Sequence, residues 1–302
     1  MKIYPPSVVK GEYAAMSDAE ARNTARTMNA MSETKAMNTA GTINVMSDAE
    51  TTNTAVTTNA MSDAGKAQKT FRRIEKKYLI TDEQYGAIIS AIRSHTVPDA
   101  HKSDIVSSLY FDTPDYLLIR RSLDKPVYKE KLRLRTYGVP SEGSPVFLEI
   151  KKKFKKVVYK RRAELSYRDA VALLTGRPYK KDQCQLQIIN ELSLFMERYG
   201  RLRPSMLISY RRSAYYGIEN RDLRITFDEN ILWRDKQLSP LLGSWGKPIL
   251  DDGLRLMEIK IPGAMPLWLS HLLSEAQIYP VSFSKYGTAY KTKLSKGEIN
   301  YA

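Results

Sequence analysis

The sequence predicts an α+β protein: an eight-stranded antiparallel β-barrel with flanking helices, preceded by a low-complexity amino-terminal segment. Three observations predict it. From Phe71 onward the chain holds eight short segments in which apolar and polar residues alternate with a period of two. Helical patterns are fewer and fall between or after these segments. Residues 1–70 have another texture, repetitive and poor in large apolar side chains.

The amino-terminal segment repeats every 15 residues. Met16-Ser17-Asp18-Ala19-Glu20 recurs as Met31-Ser32-Glu33, as Met46-Ser47-Asp48-Ala49-Glu50 and as Met61-Ser62-Asp63-Ala64. Such a composition cannot offset its ordering entropy, and its Thr and Asn are mediocre helix formers. Residues 1–70 are therefore read as disordered, and 71–302 as the folded domain. The strand patterns fall at 72–80, 105–113, 127–137, 145–155, 156–165, 205–215, 222–229 and 254–262. Helical patterns fall at 81–94, 166–175, 182–199, 264–275 and 284–295, and Thr81 and Gln84 have capping-box spacing. Residues 229–253 read as a flap beside the barrel, with a plain loop at 243–246.

Composition narrows the chemistry. Cys184 is the only cysteine and the three histidines are scattered, so disulfides, cysteine zinc sites and serine–histidine catalysis have no support. Charged residues interrupt every apolar stretch well short of a membrane span, and the first ten residues lack a signal core, so a cytoplasmic protein is expected. The net charge is +15. Residues 1–70 hold seven basic and seven acidic side chains, leaving 41 and 26 for the rest, so the whole excess sits on the folded domain. A compact basic domain predicts an anionic partner.

The charged strand faces sharpen that prediction. Lys131, Arg133 and Arg135 share one face against Leu132 and Leu134; Glu149 and Lys151 oppose Leu148 and Ile150. Arg73, Glu75 and Lys77 lie together, as do Glu258 and Lys260, while Arg224, Thr226 and Asp228 oppose Leu223, Ile225 and Phe227. Tyr210 and Arg212 share a face on the sixth strand. One such face is ordinary solvated surface. Repeated across one domain, such faces would stack cations on strands ~4.8 Å apart. Two like charges at that distance repel by roughly 3 kcal/mol at an effective dielectric near 20. A bound anion removes the penalty, and Glu75, Glu149 and Glu258 supply hard oxygen ligands for Mg²⁺ or Mn²⁺.

These residues also carry a family resemblance. Arg73-Ile74-Glu75-Lys76-Lys77-Tyr78, Tyr110-Phe111-Asp112, Lys131 through Gly138, Phe147-Leu148-Glu149-Ile150-Lys151 and Val158-Tyr159-Lys160-Arg161-Arg162 resemble the VTC domain. So do Tyr210 through Tyr215, Arg224-Ile225-Thr226-Phe227-Asp228, Glu258-Ile259-Lys260 and Phe283-Ser284-Lys285-Tyr286, nine motifs in family order over 71–292. This is the catalytic domain of the vacuolar transporter chaperone polyphosphate polymerases, a branch of the triphosphate tunnel metalloenzymes. The resemblance implies an eight-stranded tunnel that transfers the γ-phosphoryl of ATP to a growing inorganic polyphosphate chain with Mn²⁺ or Mg²⁺.

Carried over residue by residue, Arg133, Arg135, Lys151, Arg212 and Lys285 would be the catalytic cations. Lys77, Lys131, Lys160, Arg162, Arg224 and Lys260 would grip substrate with the hydroxyls of Tyr210 and Ser284, and Glu258 would lead the metal ligands. Arg73 stands where the wider superfamily opens with Glu, which argues against a two-metal hydrolase. A tunnel triphosphatase and a noncatalytic polyphosphate binder remain open as alternatives, and nucleic acid is disfavoured because charge alone supports it.

Overall fold

A computed structural model of the protein describes residues 55–56, 72–99, 104–155, 157–180, 182–200 and 202–295. Apart from Ala55–Val56, the expected disorder of residues 1–70 lies outside the described residues. From Arg72 the chain forms an antiparallel sheet of ten strands. They are β1 (Arg72–Thr81), β2 (Thr96–Pro98), β3 (Asp104–Asp112), β4 (Tyr128–Tyr137), β5 (Pro145–Phe154), β6 (Val157–Ser166), β7 (Arg203–Gly217), β8 (Arg224–Arg234), β9 (Lys247–Pro248) and β10 (Leu254–Ile261).

The main path runs β1-β10-β8-β7-β3-β4-β5-β6, with β9 paired to β8 and β2 to β7. The path has two ends, so the ladder is open. The expected closed barrel of eight strands is thus corrected: the eight long strands are present, two short ones flank them, and β1 and β6 are not joined by hydrogen bonds. Ala55–Val56 pairs only with Arg72 and Arg73.

Six helices flank the sheet: α1 (Asp82–Ile92), α2 (Leu117–Leu123), α3 (Tyr167–Leu174), α4 (Leu186–Tyr199), α5 (Leu267–Glu275) and α6 (Lys285–Ser295). The capping box at Thr81 and Gln84 starts α1 as expected. The helix α2 has no counterpart among the predicted helices. It is seven residues long and starts from Tyr116 at φ 60°, a position no helical pattern announces. Its first amides are satisfied from a distance by the buried Asp112 carboxylate, which accepts from Leu118 and Ile119 at 2.8 and 3.0 Å.

Alternation sorts the side chains into three cores. The convex faces of β3–β6 place Leu109, Leu132, Leu148 and Leu165 against Leu173, Leu192 and Phe195 of α3 and α4. The faces of β1, β8 and β10 place Tyr78, Ile225 and Ile259 against Ile88 of α1 and Leu269 of α5. The third core lies on the opposite, concave side, where α6 sets Tyr286, Ala289 and Tyr290 on Val106, Tyr110, Ile208 and Tyr210. The concave side, charged on its strand faces, is therefore apolar where α6 enters it.

The segment read as a flap is tied down. Its first residues extend β8 to Arg234, and that buried guanidinium donates to the carbonyls of Gln237, Ser239, Gly243 and Trp245 at 2.9–3.0 Å. No described helix is long and apolar enough to cross a membrane.

Candidate active site

The concave faces of β4, β5 and β6 bring the predicted cations into register. Tyr110, Arg133, Glu149 and Arg162 form one cross-strand row, and Lys131, Lys151 and Lys160 the next. Glu149, 1% exposed, is the hub of the first row. Its two oxygens accept from Arg133 at 2.7 Å, Arg162 at 2.7 Å and Lys160 at 2.8 Å. Arg161 faces outward and pairs with Glu191 of α4, which settles the orientation of the Lys-Arg-Arg run. Burial alone would raise the Glu149 carboxyl, but its cations hold it well below the usual carboxylate range.

The second row is three lysines abreast. Like charges directly opposite on neighbouring strands are destabilising, and among the described residues only Lys160 of the three reaches a carboxylate, one already shared. Burial and then Lys151, Lys129 and Lys77 push Lys131 down to about 7. Lys160 also falls to about 7, because burial and the neighbouring Arg162 and Arg133 outweigh Glu149. Lys151 is solvent-exposed, yet Glu75, Lys77, Glu258 and Lys260 all act on it. Those four stand on β1 and β10, the far end of the ladder. The sheet therefore curls until its two ends face one another across the hollow, although no hydrogen bonds close it.

On that far wall Glu258 meets Lys260 at 2.8 Å and Lys77 at 4.0 Å, and Lys77 also reaches Glu75 at 3.5 Å. Burial opposes ionisation of Glu258, but Lys260, Lys77 and Arg212 hold it well below its ordinary range. Glu75 is lowered too, against burial and the repulsion of Glu258. Between the walls, the fully buried Asp228 binds Arg212 at 2.6 and 2.7 Å and Lys285 at 2.5 Å. Tyr210 lies under both cations, with ring centroids 5.1 Å from Arg212 and 4.4 Å from Lys285. Its hydroxyl accepts from Arg135 at 3.4 Å, and the Arg135 Nε is buried without a partner. Ser284 directly precedes α6 and accepts from Lys131 at 3.2 Å. Arg224 is the cross-strand partner of Lys260 on the far wall, where it stacks on Tyr216 and pairs with Asp99 at 3.3 Å.

The three predicted metal ligands do not assemble. No group of three metal-ligating side chains is present among the described residues, and Glu149 is saturated by cations. Glu75 and Glu258 alone fit the role, as two ionised neighbours. Mg²⁺ commonly binds through one or two carboxylates and completes its shell with substrate phosphates. Two residues of the centre carry no predicted role. Tyr110 accepts from Arg133 at 3.3 Å and is stacked on Tyr286, and Asp228 orders two of the cations. The signal for both was in their strand parity: Tyr110 keeps step with Ser108 and Asp228 with Thr226 and Arg224.

The family model of the VTC domain matches residues 72–294, and the chain belongs to that family. No curated protein matches the chain. Among solved structures it is similar to a candidate adenylate cyclase from Vibrio parahaemolyticus, at 15% identity over 74% of this chain and 98% of that one, TM-score 0.39. A candidate adenylate cyclase from Bacillus halodurans is 15% identical over 70% and 93%, TM-score 0.42. A candidate adenylyl cyclase from Hippeastrum, reported with a dominant triphosphatase activity, is 16% identical over 76% and 97%, TM-score 0.45.

Proposed function

We propose that the protein transfers a phosphoryl group from a nucleoside triphosphate, ATP, to a growing inorganic polyphosphate chain on this cationic concave face. The observation that carries the reading is the row Lys131–Lys151–Lys160: three lysines held in register, with two titrating near neutrality, are a cost that a phosphate chain offsets. Phosphoryl transfer asks a protein mainly to position reactants and neutralise charge in a loose transition state. Arg133, Arg135 and Arg212 present planar forks suited to phosphate oxygens. Lys131, Lys151 and Lys285 add point charges, and Lys77 and Lys260 complete the far wall. The attacking oxygen of a chain end is already anionic, so no general base is required. Glu75 and Glu258 would hold a divalent cation, which when bound neutralises phosphate charge and stabilises the leaving group.

A noncatalytic polyphosphate-binding module is the second reading, favoured by the engagement of Glu149 and Glu258 with cations. Incubation of the purified protein with ATP and Mn²⁺, with products resolved on a gel stained for polyphosphate, separates them. Polymer is expected, and Arg133→Ala or Lys285→Ala should abolish it. Free phosphate without polymer would make the protein a triphosphatase. Binding without turnover, retained in Glu258→Ala, would make it a binder.

A further inference from the structure

The segment between β8 and β9 exposes apolar side chains for which the cores have no use. Leu241 and Leu242, successive residues of the single 3-10 turn Pro240–Leu242, are 47% and 52% exposed, and Trp245 is 41% exposed. Val139, in the turn between β4 and β5, is 62% exposed and lies beside Gly243, where an added Cβ would stand 3.8 Å from it. The neighbouring Gly138 donates to the carbonyl of Ile105 at 2.7 Å, so the exposed Ile105 continues the patch. Monomeric proteins rarely gather exposed apolar groups on one surface unless something covers them.

The turn is held from within. Arg234 binds four of its carbonyls, Ser244 donates to the buried Ser209 at 2.8 Å, and Leu238 and Pro240 pack inward. Leu241, Leu242 and Trp245 therefore stand out from a fixed backbone. Cations border them. Lys236 and Lys247 line one open groove with Trp233 and Trp245, and Arg211 is the cross-strand partner of Ile105. Nearby carboxylates are engaged, Asp235 with Lys293 at 2.8 Å and Glu229 with Arg255 and Arg211. The patch is thus apolar at its centre and positive at its rim.

We propose that this patch docks on an anionic lipid surface, with Leu241, Leu242 and Trp245 entering the boundary of headgroups and acyl chains and Lys236 and Lys247 meeting anionic headgroups. Such binding scales with the apolar area buried plus the attraction of cations to anionic lipid, and tryptophan favours that boundary. Two other occupants fit less well. A second copy would bring another +15 of net charge against the first. A protein partner makes about ten hydrogen bonds across a typical interface, but Arg234 already takes the carbonyls of Gln237, Ser239, Gly243 and Trp245. A fluid headgroup layer asks only for charge and for apolar side chains to bury. The proposal is independent of the phosphate reading of the concave face.

The test is cosedimentation of the full chain with vesicles of phosphatidylcholine, alone or mixed with phosphatidylglycerol, in the presence of excess tripolyphosphate to occupy the cations of the concave face. The protein should bind the mixed vesicles at least about tenfold more tightly than the neutral ones. A Leu241→Ser, Leu242→Ser double variant should weaken that binding at least about tenfold, and Lys236→Gln about fivefold. Both leucines are exposed, so the thermal midpoint should stay in place. Trp245 is the exposed one of three tryptophans, and its emission should shift to the blue on mixed vesicles. Trp245→Phe should remove the shift and keep most of the binding. Failure of the unaltered protein to bind, binding that the leucine variant retains, or binding that tripolyphosphate abolishes overturns the proposal. So does a dimer of the free protein that the leucine variant dissociates, since a second copy would then be the occupant. The leucine variant decides the patch even if tripolyphosphate does not bind, an outcome that would count against the concave face alone.

Discussion

Glu149 takes three cations on two oxygens, and the three do not share it equally. Arg133 and Arg162 approach at 2.7 Å, while Lys160 is left with a pKa of about 7. Replacing the buried Glu149 with Gln leaves a cluster of half-buried, uncompensated cations, which should cost about 3 kcal/mol of stability. Urea unfolding measures it; an unchanged midpoint would show that solvent already screens the cluster. The lysines give a second expectation with a definite sign. Lys131 and Lys160 drop from an ordinary 10.5 to about 7 in the folded chain. Below pH 7 both are charged whether folded or not, and the fold bears their crowding. Between pH 7 and 10.5 only the unfolded chain keeps those protons, so the free protein should gain stability as pH rises through that window. An anion requires the protonated form, so its affinity should move oppositely, falling about tenfold per pH unit above 7 for each lysine it needs. Tripolyphosphate titrations from pH 6 to 9 read this, and a flat profile would mean that neither lysine touches the ligand.

At the scale of elements, α6 links the centre to the sheet. Its first residue Lys285 binds Asp228, and Tyr286 donates to the Asp112 carboxylate at 2.8 Å, the same group that caps α2. One buried carboxylate thus fixes two helices beside the cations. Tyr286→Phe removes a donor from it and should cost about 1–2 kcal/mol. Because the change also loosens the support of Lys285, turnover should fall further than the loss of folded protein explains; a proportionate fall would leave α6 a purely structural element. The long strands were legible in the sequence because burial on one face imposes a two-residue alternation that tertiary context cannot hide, as in β4 and β5. The capping box of α1 was legible because its two hydrogen bonds are local. The helix α2 was not, since its cap comes from Asp112, a residue that belongs to the preceding strand. The three carboxylates stay apart for a related reason. Parity places Glu149 on the concave face, but only register reveals that Arg133 and Arg162 flank it on both sides.

At the scale of the whole molecule, an open ladder whose ends carry like-charged residues has an electrostatic reason to stay apart and a ligand-dependent reason to draw together. Lys151 near one end senses both Lys77 and Lys260 at the other, with Glu75 and Glu258 partly compensating. A polyanion placed between them replaces repulsion by attraction on both walls, so it should stabilise the entire fold and not only the residues it touches. Binding to the native state alone contributes about 2.7 kcal/mol at a ligand concentration one hundred times Kd. For a folded unit of this size each kcal/mol moves Tm by roughly 2–4 °C, so saturating tripolyphosphate should raise the midpoint by about 5–10 °C. The shift should shrink in high salt, because part of the interaction is screened, and it should be largest near pH 7 or below, where the lysine row is protonated. A midpoint that tripolyphosphate leaves unmoved at low salt and pH 6 would mean that the two walls do not hold a common ligand, and the concave face would then be no more than a costly solvated surface.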